Sequence, residues 1–515
     1  MKQTGVVAVA VLVGLLIWAG LRLVVGDQDR NSLNQGASSR LNMPSRQDRN
    51  SSDQAMGPRP NILFILTDDM RASDLKYMPK TQSLLEKQGV KFTEAFVTRS
   101  HCCPSRATIL RGQYTHNHNV WTDVPPAGGF WKFHDQGLEN STIATWLHDA
   151  GYDTILIGKY LNHYSLYRSG SDVPTTYVPP GWDQWYGWEG IYRDADTKYY
   201  INENGQVVTY YRSDIHETDL YARTAERFIR QTAGRAPFFM YLSTNTPHDP
   251  AFYAPRHAGM FSDEQLPQPP SFDEGDVSDK PAWVRNKPPL TSTRISDMTK
   301  LYQNRLRALQ SVDDMVDRLV GALRDTGELS NTYVVFTSDN GVHLGEHRLQ
   351  GKVTAYEEAV HVPLLVRGPS VPQEATRSQL VLNNDLAPTF ADLNSAKVPS
   401  FVDGRSLKPL LSVNPPISWR SAFLVEHRPS TEDGGVRAIP AQEIPKYDAV
   451  RTSRYLYVEY PTTGEKELYD LRADPYELTN LYASAPPTLL SDLQSTLGKL
   501  ESCAGETCKK AENGV

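Results

Sequence analysis

Asn61-Ile62-Leu63-Phe64-Ile65-Leu66 is an almost unbroken apolar run of strand length that ends in Thr67-Asp68-Asp69. A strand with one wet face alternates apolar and polar residues. An unbroken run therefore marks a strand covered on both faces, as in a parallel sheet. Similar runs recur at Thr154–Ile157, Phe238–Leu242, Tyr333–Thr337 and Pro363–Val366. Helical periodicity fills the gaps at Met78–Gln88, Ser141–Ala150, Asp219–Gln231 and Thr299–Arg324. Strands alternating with helices predict an α/β fold with a mostly parallel central sheet flanked by helices. Polar residues directly after the strands place the active site at the carboxyl edge of that sheet.

The flanking regions divide the 515 residues further. Lys2 precedes an apolar stretch from Val6 to Gly26 broken only by Arg22, which predicts a signal peptide or membrane anchor over residues 1–26. The protein is then exported, either secreted or held at a membrane through residues 6–26 with its catalytic part outside the cytoplasm. Residues 27–58 are polar and aperiodic, a flexible linker. A catalytic domain follows over 59–415. Short alternating strands at Tyr447–Arg451, Tyr455–Tyr460 and Lys466–Asp470, with a helix at Pro487–Glu501, predict a smaller antiparallel-sheet subdomain over 416–500. Residues 501–515 read as a tail, and the proline-rich stretch 267–293 as a long surface excursion. Net charge is −7 with acids and bases dispersed, so no nucleic-acid footprint is present. Of four cysteines, Cys503 and Cys508 suit a short disulfide in an oxidising compartment. Asn50 and Asn140 stand in glycosylation sequons.

Adjacent Asp68 and Asp69 at a strand end repel each other unless a cation lies between them. Ser338-Asp339-Asn340-Gly341 repeats the situation after another apolar run. Three carboxylates and an amide oxygen form an all-oxygen set, suited to one hard cation, calcium or alternatively magnesium. In Cys102-Cys103-Pro104-Ser105-Arg106, Pro104 suits the first turn of a helix, so Cys102 sits where free N–H donors favour an anion. Arg106 adds a forked donor for tetrahedral oxyanions. Lys159 follows the strand at Thr154–Ile157, and His248 follows the one at Phe238–Leu242, poised to protonate a departing oxygen.

Cys102-Cys103-Pro104-Ser105-Arg106 with Leu110 and Gly112 resembles the signature of the sulfatase family. The resemblance runs from about Arg59 to Tyr482 and implies an alkaline-phosphatase-like fold. It also implies oxidation of Cys102 to formylglycine (3-oxoalanine) by a formylglycine-generating enzyme. The aldehyde's hydrate would supply the nucleophile and one ligand of the cation. Gly158-Lys159 resembles the second family signature. Where relatives carry His two residues later, this chain has Leu161 followed by Asn162 and His163, so either of the latter could contact substrate. Gly345-Glu346-His347 through Gly351-Lys352 resembles the stretch that supplies a sulfate-binding lysine, here Lys352. His347 and His116 are further candidates for substrate contact. Arg106, Lys159 and Lys352 would offset sulfuryl charge.

Gly181-Trp182-Asp183 and Leu309-Gln310-Ser311-Val312-Asp313-Asp314 look most like the N-acetylglucosamine-6-sulfatase branch and its extracellular heparan relatives. Trp182, Trp185, Tyr186 and Trp188 either wall a sugar subsite or pack a core. The expected activity is hydrolysis of a sulfated sugar such as N-acetylglucosamine 6-sulfate, or of an aryl sulfate. Three rivals stand beside it. They are a phosphate or phosphonate monoester hydrolase of the same superfamily, a silent glycan-binding protein, and a hydrolase using Cys102 as a thiolate with a histidine base.

Overall fold

The computed structural model describes residues 59–165, 173–189, 196–429 and 444–514. The segment 1–58, with its predicted signal or anchor, linker and Asn50, lies outside the described residues. Among the described residues no helix is long and apolar enough to cross a membrane.

The main sheet has ten strands, β1 Asn61–Thr67, β2 Val90–Phe92, β3 Asp153–Gly158, β4 Gln184–Trp188, β5 Lys198–Glu203, β6 Gln206–Tyr211, β7 Phe238–Ser243, β8 Thr332–Ser338, β9 Leu364–Arg367 and β10 Ala375–Arg377. Their order is β10-β2-β9-β8-β1-β7-β3-β4-β5-β6. The five in the middle, β8-β1-β7-β3-β4, are parallel. All seven residues of β1 and all six of β7 are buried, as unbroken apolar runs require. The run predicted at Pro363–Val366 becomes β9, which pairs antiparallel with both β8 and β2.

Side chains of β1 alternate between two covered faces. Ile62, Phe64 and Leu66 share a core with Ala107 and Ile109 of α1 (Cys102–Arg111) and Phe390 of α5 (Leu386–Leu393). Between them in the chain come α2 (Ile143–Asp149), α3 (Glu217–Thr232) and α4 (Ser292–Asp325). Helices α3 and α4 pack against each other. α4 starts earlier than periodicity predicts because the Thr291 side chain caps it, accepting the Arg294 N–H at 3.2 Å. The excursion before it is not wholly superficial, since Ser271, Glu274, Lys280 and Trp283 are buried.

β11 Ala422–His427, β12 Tyr447–Thr452, β13 Tyr455–Glu459 and β14 Lys466–Asp470 form the expected antiparallel sheet. α6 (Pro487–Glu501) packs on it, and its residues join the same continuous core as the large sheet. The last residues are no loose tail. They form α7 (Glu506–Ala511), Cys503 and Cys508 are disulfide-bonded, and buried Glu512 accepts the Tyr114 hydroxyl at 2.7 Å.

Candidate active site

Register brings four chain exits to one level. Thr67 lies beside Ser338, Leu66 beside Ser243, and Ser243 beside Gly158. Asp68 and Asp69, Asp339 and Asn340, Lys159 and His248 therefore emerge at one carboxyl edge. Gly158 has φ +95 and packs so closely that any Cβ would strike the Ser243 carbonyl, so the strand can hand over to Lys159 only with glycine there. Asp69 itself takes a left-handed φ of 64. Its N–H donates to Asp339 Oδ1 at 3.1 Å and Arg305 Nη2 donates to its carbonyl at 2.5 Å, which hold the strained conformation in place.

α1 enters this edge with its N-terminus. Cys102 is its first residue and Pro104 lies in the first turn, where the missing N–H costs nothing. Cys102 Sγ lies 2.6 Å from Lys352 Nζ, 3.3 Å from Asp68 Oδ1 and 3.8 Å from Asp69 Oδ1. That sulfur stands where the hydroxyls of a hydrated aldehyde would stand. Lys159 Nζ bonds to Asp68 Oδ2, and Lys352 Nζ to Asp69 Oδ1. His248 Nδ1 donates to the Asp249 carbonyl at 2.6 Å, which turns Nε2 inward to 3.6 Å from Asp69 Oδ2. Arg106, fully buried, lies behind the carboxylates. Nε donates to Asp339 Oδ2 at 2.8 Å, Nη1 to Ser243 Oγ at 2.6 Å, and Nη2 lies 3.4 Å from Asp68 Oδ2. In this arrangement it positions acids rather than reaching a substrate.

Burial works against ionised Asp68, yet Lys159, His248, Arg106 and Lys352 hold it far below the usual carboxylate range. Asp69 is likewise lowered against burial, chiefly by Lys352. Asp339 goes the other way, pushed up by burial and by the neighbouring Asp68. Burial and Asp68 also push the Cys102 thiol well up, so it is a poor thiolate. A cation fits this set. Asn340 Nδ2 donates to Asp69 Oδ1 at 2.6 Å, while its Oδ1 is buried without a partner among the described residues. A buried amide oxygen with no donor, next to the clustered Asp68 and Asp69 carboxylates, suits an oxygen-seeking hard cation.

Other expected contacts are placed elsewhere. His116 bonds through Nδ1 to Glu426 at 3.1 Å and through Nε2 to the Cys503 carbonyl at 2.9 Å, leaving no ring nitrogen for a substrate. His347 is fully buried against Glu274, Nδ1 to Oε2 2.7 Å. Asn162 and His163 are not removed in this way, because half-buried His163 lies near Asp123, which in turn feels Lys352 and Lys159 beside the Cys102 edge. Trp182 and Trp185 pack into the core against Phe239 and Tyr160, whereas Trp188 lines a cavity in front of His248 with Lys198, Arg212 and Asn245. Lys198 and Arg212 carried no recognisable sequence signal, since they flank the β5–β6 hairpin far from any motif. Arg305 was missed for a similar reason, being one of several arginines along α4.

The sulfatase family model matches residues 60–395. The chain belongs to the sulfatase family. A second model, described as N-sulphoglucosamine sulphohydrolase, C-terminal, matches residues 345–502. N-acetylglucosamine-6-sulfatase of Homo sapiens is 34% identical over 483 residues, covering 88% of this chain and 86% of the relative. The extracellular sulfatase SULF-1 homolog of Drosophila melanogaster is 38% identical over 388 residues, 73% of this chain but 34% of that longer protein. A solved structure, described as a complex with its substrate D-glucosamine-2-N,6-O-disulfate, superposes with TM-score 0.73 at 24% identity, covering 88% of this chain and 99% of that one. At that identity it shows the shared fold. The sulfatase is thus a hydrolase of sulfate esters built on an alkaline-phosphatase-like sheet.

Proposed function

We propose that this sulfatase hydrolyses the sulfate ester of a sulfated amino sugar, N-acetylglucosamine 6-sulfate or a close relative, outside the cytoplasm. Cys102 acts as formylglycine after maturation by a formylglycine-generating enzyme. Asp68, Asp69, Asp339 and Asn340 hold one hard divalent cation, calcium or magnesium. The single observation that carries the reading is the position of Cys102 Sγ, at a buried helix N-terminus between Lys352 Nζ and the Asp68–Asp69 carboxylates.

Matured Cys102, as the hydrated aldehyde, would supply one hydroxyl to attack sulfur and a second whose deprotonation expels sulfate and restores the aldehyde, and a cation held by Asp68, Asp69, Asp339 and Asn340 would supply Lewis acidity. Lys159 and Lys352, preorganised on Asp68 and Asp69, meet the charge that develops on the sulfuryl oxygens. Arg106 keeps the carboxylates in place from behind. His248, with Nδ1 fixed on the Asp249 carbonyl, gives a proton from Nε2 to the sugar oxygen as it leaves. The names of the human relative and of the disulfate complex support the amino-sugar class, and the extracellular relative supports export.

The experiment is a substrate panel on purified protein whose Cys102 peptide has been examined by mass spectrometry. N-acetylglucosamine 6-sulfate, aryl sulfates and phosphate or phosphonate monoesters are compared by kcat/KM. The expected result is turnover fastest on the amino-sugar sulfate, by protein carrying the aldehyde or its hydrate. Faster turnover of phosphate or phosphonate esters, or full activity with an intact thiol, would overturn the reading.

A further inference from the structure

A second group of buried acids lies where the Lys352 segment meets the C-terminal sheet, and the chemistry above makes no use of it. His347, Glu358 and Glu477 each place one ligand atom within 4.8 Å of those of the other two. His347 and Glu477 are 0% exposed. His347 Nε2, Glu358 Oε2 and Glu477 Oε1 are all buried without a hydrogen-bond partner among the described residues.

The remaining atoms of these side chains are committed, and the commitments aim the orphans at one another. His347 Nδ1 donates to Glu274 Oε2 at 2.7 Å, which leaves the lone pair on Nε2. Its ring stacks on Tyr356 with centroids 4.4 Å apart. Glu477 takes the Glu357 N–H at 3.1 Å, and Glu358 Oε1 faces Ser271 Oγ at 3.4 Å. Lys280, the ammonium on this side, donates instead to the carbonyls of Glu477 and Leu478, at 2.7 and 2.8 Å. His343 Nδ1, also without a partner, lies 3.9 Å from Glu358 Oε2 and is at hand as a fourth donor. Three potential acceptors face one another here with no donor side chain bonded to them among the described residues. A buried polar atom left without a partner is destabilising, so the arrangement calls for a ligand that accepts all three lone pairs.

We propose that His347, Glu358 and Glu477 bind a divalent cation of the zinc class, which staples the segment carrying Lys352 to the C-terminal sheet. One imidazole nitrogen with two carboxylates, its other nitrogen held by a carboxylate, is a borderline-metal donor set, unlike the all-oxygen set at Asp68. Lys352 lies between His347 and Glu358 in the chain and Glu477 follows β14, so one ion fixes both ends of the lysine's segment. The site stands apart from the sulfate chemistry, and either can fail without the other.

The test uses the full-length protein purified without chelator. Mass-spectrometric metal analysis should find a zinc-class metal beside the hard cation. His347→Gln and Glu477→Gln should lose the former and keep the latter, and Asp339→Ala should do the reverse. Zinc added to chelator-treated wild type already saturated with calcium should raise the Tm further, and cobalt should give visible ligand-field bands that His347→Gln lacks. Should those variants fail to fold, the wild-type zinc and cobalt titrations decide alone. A wild type holding only the hard cation, with no Tm rise on zinc and no cobalt bands, overturns the proposal and leaves protonated carboxyls bridged by water.

Discussion

Two buried regions of this sulfatase are rich in carboxylates, and they treat them oppositely. Along the seam between the large sheet and the C-terminal sheet, acids mostly find a full set of partners. Arg420 donates to both oxygens of Asp385, at 2.5 and 2.6 Å, and to Glu512 at 3.1 Å. Glu467 accepts three tyrosine hydroxyls, from Tyr356, Tyr469 and Tyr460, at 2.6, 2.6 and 2.7 Å. At the carboxyl edge, Asp68, Asp69 and Asp339 are held by lysines and an arginine, yet Asn340 keeps a buried oxygen with no donor among the described residues. A fully satisfied network describes architecture, and a converging unsatisfied one describes a ligand. By that rule the His347–Glu358–Glu477 group belongs with the edge although it lies at the seam.

The sharpest test of the edge is its nucleophile. Cys102→Ala should lower turnover of a sulfate ester by roughly 10⁶, the scale seen on removing a nucleophile, with the Tm essentially kept. Neighbouring Cys103, buried and bonded by its N–H to Asp123 at 2.8 Å, should show the opposite balance, costing Tm more than rate as Cys103→Ala. Retained turnover in Cys102→Ala would erase the distinction between the regions.

His248→Ala should cost roughly 10²–10⁴ in kcat on a sugar sulfate and little on a nitrophenyl sulfate, whose leaving oxygen needs no proton. Equal losses on both substrates would reassign His248 to holding Asp69. Lys352→Ala follows, with an expected loss of roughly 10²–10³ in kcat, the scale of one preorganised donor. Unchanged kcat in this variant would remove Lys352 from the edge.

How far each region could be read in the sequence follows from the same contrast. Edge residues sit directly after apolar runs, so Asp68, Asp69, Asp339, Asn340, Lys159 and His248 were legible from local pattern. The parallel core was legible for the same reason, since strands buried on both faces leave no alternation. Seam residues meet across long chain separations, as Tyr114 meets Glu512 and Tyr356 meets Glu467. No local pattern encodes such pairs. His116 shows the failure plainly. Its closeness to α1 in the chain suggested the substrate, but the turn after α1 faces the other way, toward Glu426. Strand direction was equally silent in the run at Pro363, because periodicity does not tell parallel from antiparallel.

Arg420→Ala carries the contrast to the seam. It leaves Asp385 buried without its charged partner, while Glu512 keeps Arg405 at 2.7 Å, so it should cost roughly 3–5 kcal/mol in denaturant unfolding while kcat of the folded fraction holds. A kcat loss with stability intact would show that the seam takes part in the chemistry.

The smallest effect expected concerns the His116–Glu426 pair and depends on pH. Burial alone would lower the imidazole, but Glu426, in contact at 3.1 Å, overrides it and raises His116 from 6.5 to about 9. A histidine whose folded value is raised contributes its stability in full below about pH 6.5. That contribution is lost as pH climbs through about 9, because the unfolded chain gives up the proton first and the folded one later. The shift corresponds to roughly 3 kcal/mol, since one pH unit is worth about 1.4 kcal/mol. Urea midpoints at about pH 6 and about pH 9.5 should therefore fall more in wild type than in His116→Gln, while kcat at a fixed pH stays alike in both. Parallel stability profiles would leave the pair without energetic weight, and a changed KM for sulfate esters would return His116 to the substrate site from which its contacts remove it.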